Sequence, residues 1–233
     1  MPKVFGWEHL TFMGIYLLVG VALLIVAKKY LKEEKGQTIF IKSLAGATLI
    51  CNILTRIGVG MTYGWVTVFP STVCSLTNFL LPIVVIFGKR NLNVYHALWY
   101  IGLVGGLGST LYPDYISQNA SVFFLPTICS LLHHAFIVLL CISMIMFNWF
   151  RPSLKKWYYF PMVFCGYITI GAFALHVLKI DNAMSITAPL IEGTPINCWF
   201  ILGVGTALEV IVVALYEAIH HYYMKRKALT NKG

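Results

Sequence analysis

Seven long apolar runs follow one another along the chain, near Leu10–Ala27, Ile39–Val59, Pro70–Gly88, Val94–Leu111, Val122–Phe147, Trp157–Leu178 and Cys198–Tyr222. A helix needs about 20 apolar residues to cross the hydrocarbon core of a bilayer. Short polar breaks separate the runs, which predicts an all-α polytopic membrane bundle of about seven transmembrane helices. Of the 233 residues, 59% are hydrophobic and only 11% charged, whereas soluble domains carry about a quarter charged residues. Too few charges are present to solvate a globular surface. The same arithmetic excludes disordered, collagenous and disulfide-stapled classes. No repeat, low-complexity stretch or second domain interrupts the pattern, so residues 1–233 read as one integral membrane domain. The first residues have neither a basic n-region nor a small-residue cleavage site, so the first run is expected to stay as a span.

Basic residues fix an expected orientation, because Lys and Arg collect in cytoplasmic loops. Lys28, Lys29, Lys32 and Lys35 follow the first run, Lys89 and Arg90 the third, Arg151, Lys155 and Lys156 the fifth, and Lys225, Arg226 and Lys227 the seventh. The intervening loops carry almost no base. The N-terminus is therefore expected outside and the C-terminus in the cytoplasm. The net charge of +9 follows from this bias and calls for no nucleic-acid partner.

Chemistry is sought among polar groups inside the spans, where they are costly and tend to mark function. The six cysteines are scattered and form no CxxC pair, which argues against a zinc or disulfide framework. Cys74 differs from the rest. It lies about one turn beyond Pro70, a residue suited to a helix's first turn, and unpaired amides there favour a thiolate. Asn78 follows at i+4 on the same face. His133 and His134 lie in the same half of span five. Neighbours on a helix point about 100° apart, so only one is expected to face a given pocket. His134 shares a stripe with Thr127, Ser130 and Cys141 and is the better candidate. His133 is expected at the edge of the same site or on another polar group. Arg56 has three readings: snorkelling to headgroups, holding a lipid phosphate, or pairing with Glu8 or Asp114. Glu209 lies midway through span seven, and a carboxylate there needs a partner or a proton. Glu8, His9, Asp114 and Asn182 are expected at the outer boundary, in contact with water.

A thiol and an imidazole are the minimal pair for acyl transfer through a thioester. No metal-binding or nucleotide-binding motif accompanies them, so no metal and no cofactor are expected.

Four patches carry a resemblance. They are Glu8-His9-Leu10; Phe69-Pro70-Ser71-Thr72-Val73-Cys74-Ser75-Leu76; Tyr112-Pro113-Asp114 followed by His134; and Asn182-Ala183-Met184-Ser185-Ile186 with Pro189. Together they resemble, in order, the YwaF-type integral membrane proteins of bacteria, which are related to eukaryotic transmembrane protein 164. The eukaryotic relative is regarded as a phospholipid acyltransferase that works through a cysteine and a histidine. The resemblance thus implies Cys74 as nucleophile and His134 as base, with His133, Asn78 or Asp114 orienting it. Arg56, Asn78, Asp114 and Asn182 are the expected substrate-binding residues. The implied partners are a membrane phospholipid donor and a lipid or lipoprotein acyl acceptor. Two alternatives stand beside it: a lipid or small-molecule transporter, and a non-catalytic membrane binding module that would tolerate Cys74→Ser and His134→Ala.

Overall fold

The computed structural model describes residues 3–113 and 121–230. Seven α-helices account for most of them: α1 (Trp7–Tyr30), α2 (Glu34–Tyr63), α3 (Val73–Phe87), α4 (Tyr95–Leu111), α5 (Leu125–Met146), α6 (Tyr159–His176) and α7 (Cys198–Thr230). Each matches one apolar run of the sequence. The helix ends follow local chemistry. Helix α1 has Glu8 in its first turn and Lys28 and Lys29 in its last, which complements the helix dipole. Gly64, at φ +100°, ends α2. Pro126 sits in the first turn of α5, where its missing N–H costs nothing.

Four helices are long and apolar enough to cross a membrane: α1, α2, α5 and α7. A fifth such segment is Leu154–His176, which contains α6. Helices α3 and α4 have 15 and 17 residues, about 22 and 26 Å at 1.5 Å per residue. They lie within the bundle.

Consecutive helices run antiparallel through the first five. Asn52, late in α2, donates to the Ser75 carbonyl early in α3 at 3.3 Å, while Lys42, early in α2, donates to that of Ile86 late in α3 at 2.6 Å. Trp99 of α4 donates through Nε1 to the Cys141 carbonyl of α5 at 2.8 Å. The hydrophilic side chains divide accordingly. Asn52, Cys74, Asn78, His133 and His134 gather toward one end. Arg90, ion-paired with Glu34 at 3.3 Å, and Lys156, on Asn93, mark the other.

Helix α5 is the centre. Of its apolar window 67% is buried, against 11% for α1 and 17% for α7. It packs against α2 and α4 most extensively. The outer helices present Leu17, Leu18, Val19 and Ile219 outward, a surface that only lipid satisfies.

Two expectations change. Pro70 is not in the first turn of α3. The helix starts three residues later, because the Thr72 side chain caps it by accepting from the Ser75 amide at 3.2 Å. His9 is not at a watery boundary but fully buried. Its Nδ1 accepts from the Phe5 amide at 3.1 Å, so Nε2 carries the proton and donates to the Thr110 carbonyl at 3.0 Å. A neutral imidazole thus joins the start of α1 to the end of α4.

Close helix approach rests on small residues in α4. A Cβ on Gly106 would lie 2.8 Å from methyl groups of both Ile137 and Val138, whereas one on Gly108 would meet nothing within 4 Å. Gly106→Ala should therefore destabilise the bundle by roughly 1–3 kcal/mol through overpacking. Gly108→Ala should leave it unchanged. Thermal unfolding of the two variants in detergent checks the contrast.

Candidate active site

The first turn of α3 presents Cys74 as its second residue. Amides of a first helical turn have no intrahelical acceptor, and here Thr72 takes up only that of Ser75. The segment before the helix is held from outside. The Met184 amide donates to the Ser71 carbonyl at 2.7 Å, and the Met184 side chain packs where a Cβ on Gly171 would stand. Asn182, at φ +50°, keeps this loop in shape. Its Oδ1 accepts from the Thr187 amide, the Thr187 hydroxyl and the Ala188 amide at 3.2, 3.2 and 2.8 Å. The carboxamide oxygen that sequence placed among substrate-binding groups is spent on its own loop.

Cys74 is half-buried, with its sulfur against α4. A Cβ on Gly105 would lie 2.9 Å from Sγ, and Ser109 Oγ is 3.8 Å from it. The bare glycine is what leaves room for the sulfur. Tyr167 of α6 lies within electrostatic range of the thiol. Its hydroxyl is 3.0 Å from Thr77 Oγ1. Because the Thr77 hydroxyl donates to the Val73 carbonyl at 2.8 Å, Tyr167 is the donor between them.

One turn further along the same face, about 6 Å by helical rise, stands Asn78. Its Nδ2 donates to Nδ1 of His133 at 2.6 Å and lies 3.3 Å from Nδ1 of His134. The two Nδ1 atoms are 3.1 Å apart. His133, at the shorter distance, accepts at Nδ1 and carries its proton on Nε2, whereas His134 Nδ1 can accept from Asn78 or donate across the 3.1 Å contact to His133. This corrects the expectation that only one of two adjacent histidines serves a pocket. Nδ1 is the ring nitrogen nearest the backbone, so two neighbouring rings can tip those atoms together, and one amide group has two hydrogens to give. The polar stripe through His134 does not discriminate, because α5 is buried on nearly every side. Pro82 adds to the polarity of this level: having no N–H, it cannot bond the carbonyl four residues back, that of Asn78.

Arg56 projects from α2 within electrostatic range of both imidazoles. Its Nε is buried without a hydrogen-bond partner. Glu8 does not pair with it, and Asp114 lies outside the described residues. Glu209 is buried on α7, away from this cluster and close to Tyr100. An apolar groove of about 400 Å³ lies between the start of α3 and α6, lined by Phe69, Pro70, Leu76, Thr169, Ile170 and Phe173. A larger depression, of about 760 Å³, lies at the basic end among Arg151, Tyr216 and Glu217 and touches none of the candidate groups.

Residues 4–217 match the TMEM164 family. The chain belongs to the TMEM164 family. It is an integral, multi-pass membrane protein. Comparison with curated proteins and with solved structures gave no match. In this TMEM164-family chain, sequence singled out Cys74, Asn78, His133, His134 and Arg56, and the fold gathers them from α2, α3 and α5. The amino-acid order did not single out Ser109, Tyr167, Asn52 and Ser75, and it marked Gly105 only as part of a small-residue packing face with Gly102, Gly106 and Gly108. A carboxamide at Asn52 within an apolar run was a usable signal.

The Gly105–Cys74 contact gives a direct test. Gly105→Ala should slow alkylation of Cys74 by a membrane-permeant thiol reagent several-fold. The exposed Cys165 should react at its original rate. Peptide-level mass spectrometry after timed labelling reads both sites.

Proposed function

We propose that this protein is a membrane acyltransferase that moves an acyl chain from a phospholipid donor through a thioester on Cys74. The support is the shared face of α3: a thiol in the first helical turn, and one turn on a carboxamide beside two imidazoles whose Nδ1 atoms converge. A proton arriving at that pair has two nitrogens to share it, which suits a general base. Family membership supports a membrane protein, and the chemistry is inferred from these residues.

His134, aligned by Asn78 and His133, takes the Cys74 proton. The thiolate attacks an ester carbonyl of the donor, and first-turn amides of α3 stand near the developing oxyanion. The C–S bond forms, the ester C–O bond breaks, and the leaving lysophospholipid oxygen takes the proton from the imidazole. The acceptor, a lysophospholipid hydroxyl or a lipoprotein amine, then gives a proton to the imidazole and attacks the thioester. The C–S bond breaks and the proton returns to sulfur. The groove at Phe69, Leu76 and Phe173 offers the acyl chain an apolar seat. In this scheme all seven helices cross the bilayer, the N-terminus lies outside, and the site opens to the outer leaflet, opposite the basic loops.

Intact-protein mass spectrometry after incubation with phospholipid tests the chemistry. Wild type should acquire a hydroxylamine-sensitive acyl adduct that Cys74→Ser lacks. His134→Ala should form it about 10²–10⁴-fold more slowly, the usual worth of a positioned base. Lipid turnover that persists in Cys74→Ser would refute the thioester.

A further inference from the structure

Among the described residues Arg56 has no anionic partner. Buried charges in proteins are normally paired or hydrogen-bonded. Among the described residues the one ion pair is Arg90–Glu34, at the opposite end of the bundle. The side chain lies within electrostatic range of two imidazoles instead, and its buried Nε has no acceptor.

It is not alone. Ser75 Oγ, His133 Nε2 and Asn52 Oδ1 are also buried with no hydrogen-bond partner. Most buried polar atoms in proteins find a partner, and exceptions need an explanation. These four atoms belong to contiguous residues. Asn52 and Arg56 are one turn apart on α2. Asn52 Nδ2 reaches the Ser75 carbonyl. Ser75 and Asn78 are one turn apart on α3, and Asn78 holds His133 at 2.6 Å. Since His133 accepts at Nδ1, its orphaned Nε2 carries a hydrogen. The set therefore offers three donors, Arg56 Nε–H, Ser75 O–H and His133 Nε2–H, and one acceptor, Asn52 Oδ1.

We infer that Arg56, Ser75, His133 and Asn52 form an anion subsite that takes the phosphodiester of a membrane lipid. A guanidinium presents a fork of donors that fits phosphate oxygens. The hydroxyl and imidazole donors complete the shell of the oxyanion, and Asn52 Oδ1 takes a hydroxyl or a water beside it. A carboxylate or free phosphate shares the anionic chemistry. The apolar groove between the start of α3 and α6, lined by Phe69, Leu76 and Phe173, favours an anion that carries acyl chains. That this lipid is a substrate rests on the acyl-transfer reading, whereas the subsite itself does not.

Binding is best measured on full-length Cys74→Ser protein in nonionic detergent, where nothing turns over. Thermal stabilisation is titrated with dihexanoylphosphatidylcholine, with dihexanoylglycerol, which has the same chains and no phosphate, and with sodium phosphate. The phospholipid should bind at least about tenfold more tightly than the diacylglycerol, the range of a charge-assisted pair. Adding Arg56→Gln should abolish that difference and leave diacylglycerol binding unchanged, and Arg56→Lys should keep part of it. Equal binding of the two lipids, or phospholipid binding indifferent to Arg56→Gln, overturns the subsite. Sodium phosphate protecting as well as phospholipid at equal concentration overturns the lipid as its ligand. If Arg56→Gln does not fold, the two-lipid comparison and Arg56→Lys decide. The acyl adduct on Cys74 is read separately. Arg56-dependent phospholipid binding with no adduct refutes acyl transfer and keeps the subsite, while an adduct with Arg56-independent binding does the reverse.

Discussion

The carboxamide nitrogen of Asn78 lies within hydrogen-bond distance of two imidazoles of α5, those of His133 and His134. In an apolar bundle this is a strong constraint, since a polar group without a partner there costs several kcal/mol. The Asn78 level of α3 is therefore locked against the His133–His134 level of α5. Everything else in the site is placed from that lock. Cys74 comes one turn earlier on α3, Ser75 meets Asn52 of α2 through its carbonyl, and Arg56 stands on α2 within electrostatic range of the imidazoles. Losing the carboxamide would remove the donor that holds the buried His133 ring at 2.6 Å.

The remaining geometry depends on how closely backbones approach. Helix α4 uses two faces for this. Gly102 and Gly106 let it close on α5, and Gly105 lets the Cys74 sulfur press into its surface. A loop from the far side of α6 latches the chain just ahead of Cys74 through Ser71 and Met184. The thiol is thus located by a capped helix start, a glycine gap and a loop latch, rather than by one dominant contact.

Much of this was legible in the amino-acid order. Seven apolar runs became seven helices, because the period and length of such runs leave few other structures in lipid. Cys74, Asn78 and the histidines stood out because polar groups in those runs are few. What escaped reading was relational. That two adjacent histidines meet one carboxamide depends on ring tilt and on α5 being enclosed on most sides, and neither is a property of spacing. His9 looked like an interfacial residue because it sits near the start of a span. Only the packing of α1 on the end of α4 buries it. The start of α3 moved because Thr72, an unremarkable residue in the sequence, is a better cap than Pro70 is a first-turn residue. Ser75 and Asn52 are small polar side chains whose unpaired atoms become visible only when neighbours are counted.

The gap at Gly105 reaches beyond this one chain. A side chain at that position and a sulfur at position 74 compete for the same space, so the two positions form a size-coupled pair. Among homologues, substitutions at one should be tied to substitutions at the other: a residue with a Cβ in place of Gly105 should accompany something smaller than cysteine in place of Cys74, or a shifted α4. The contact also gives the thiol a direction. With α4 at its back, any group attached to the sulfur has to extend away from that helix.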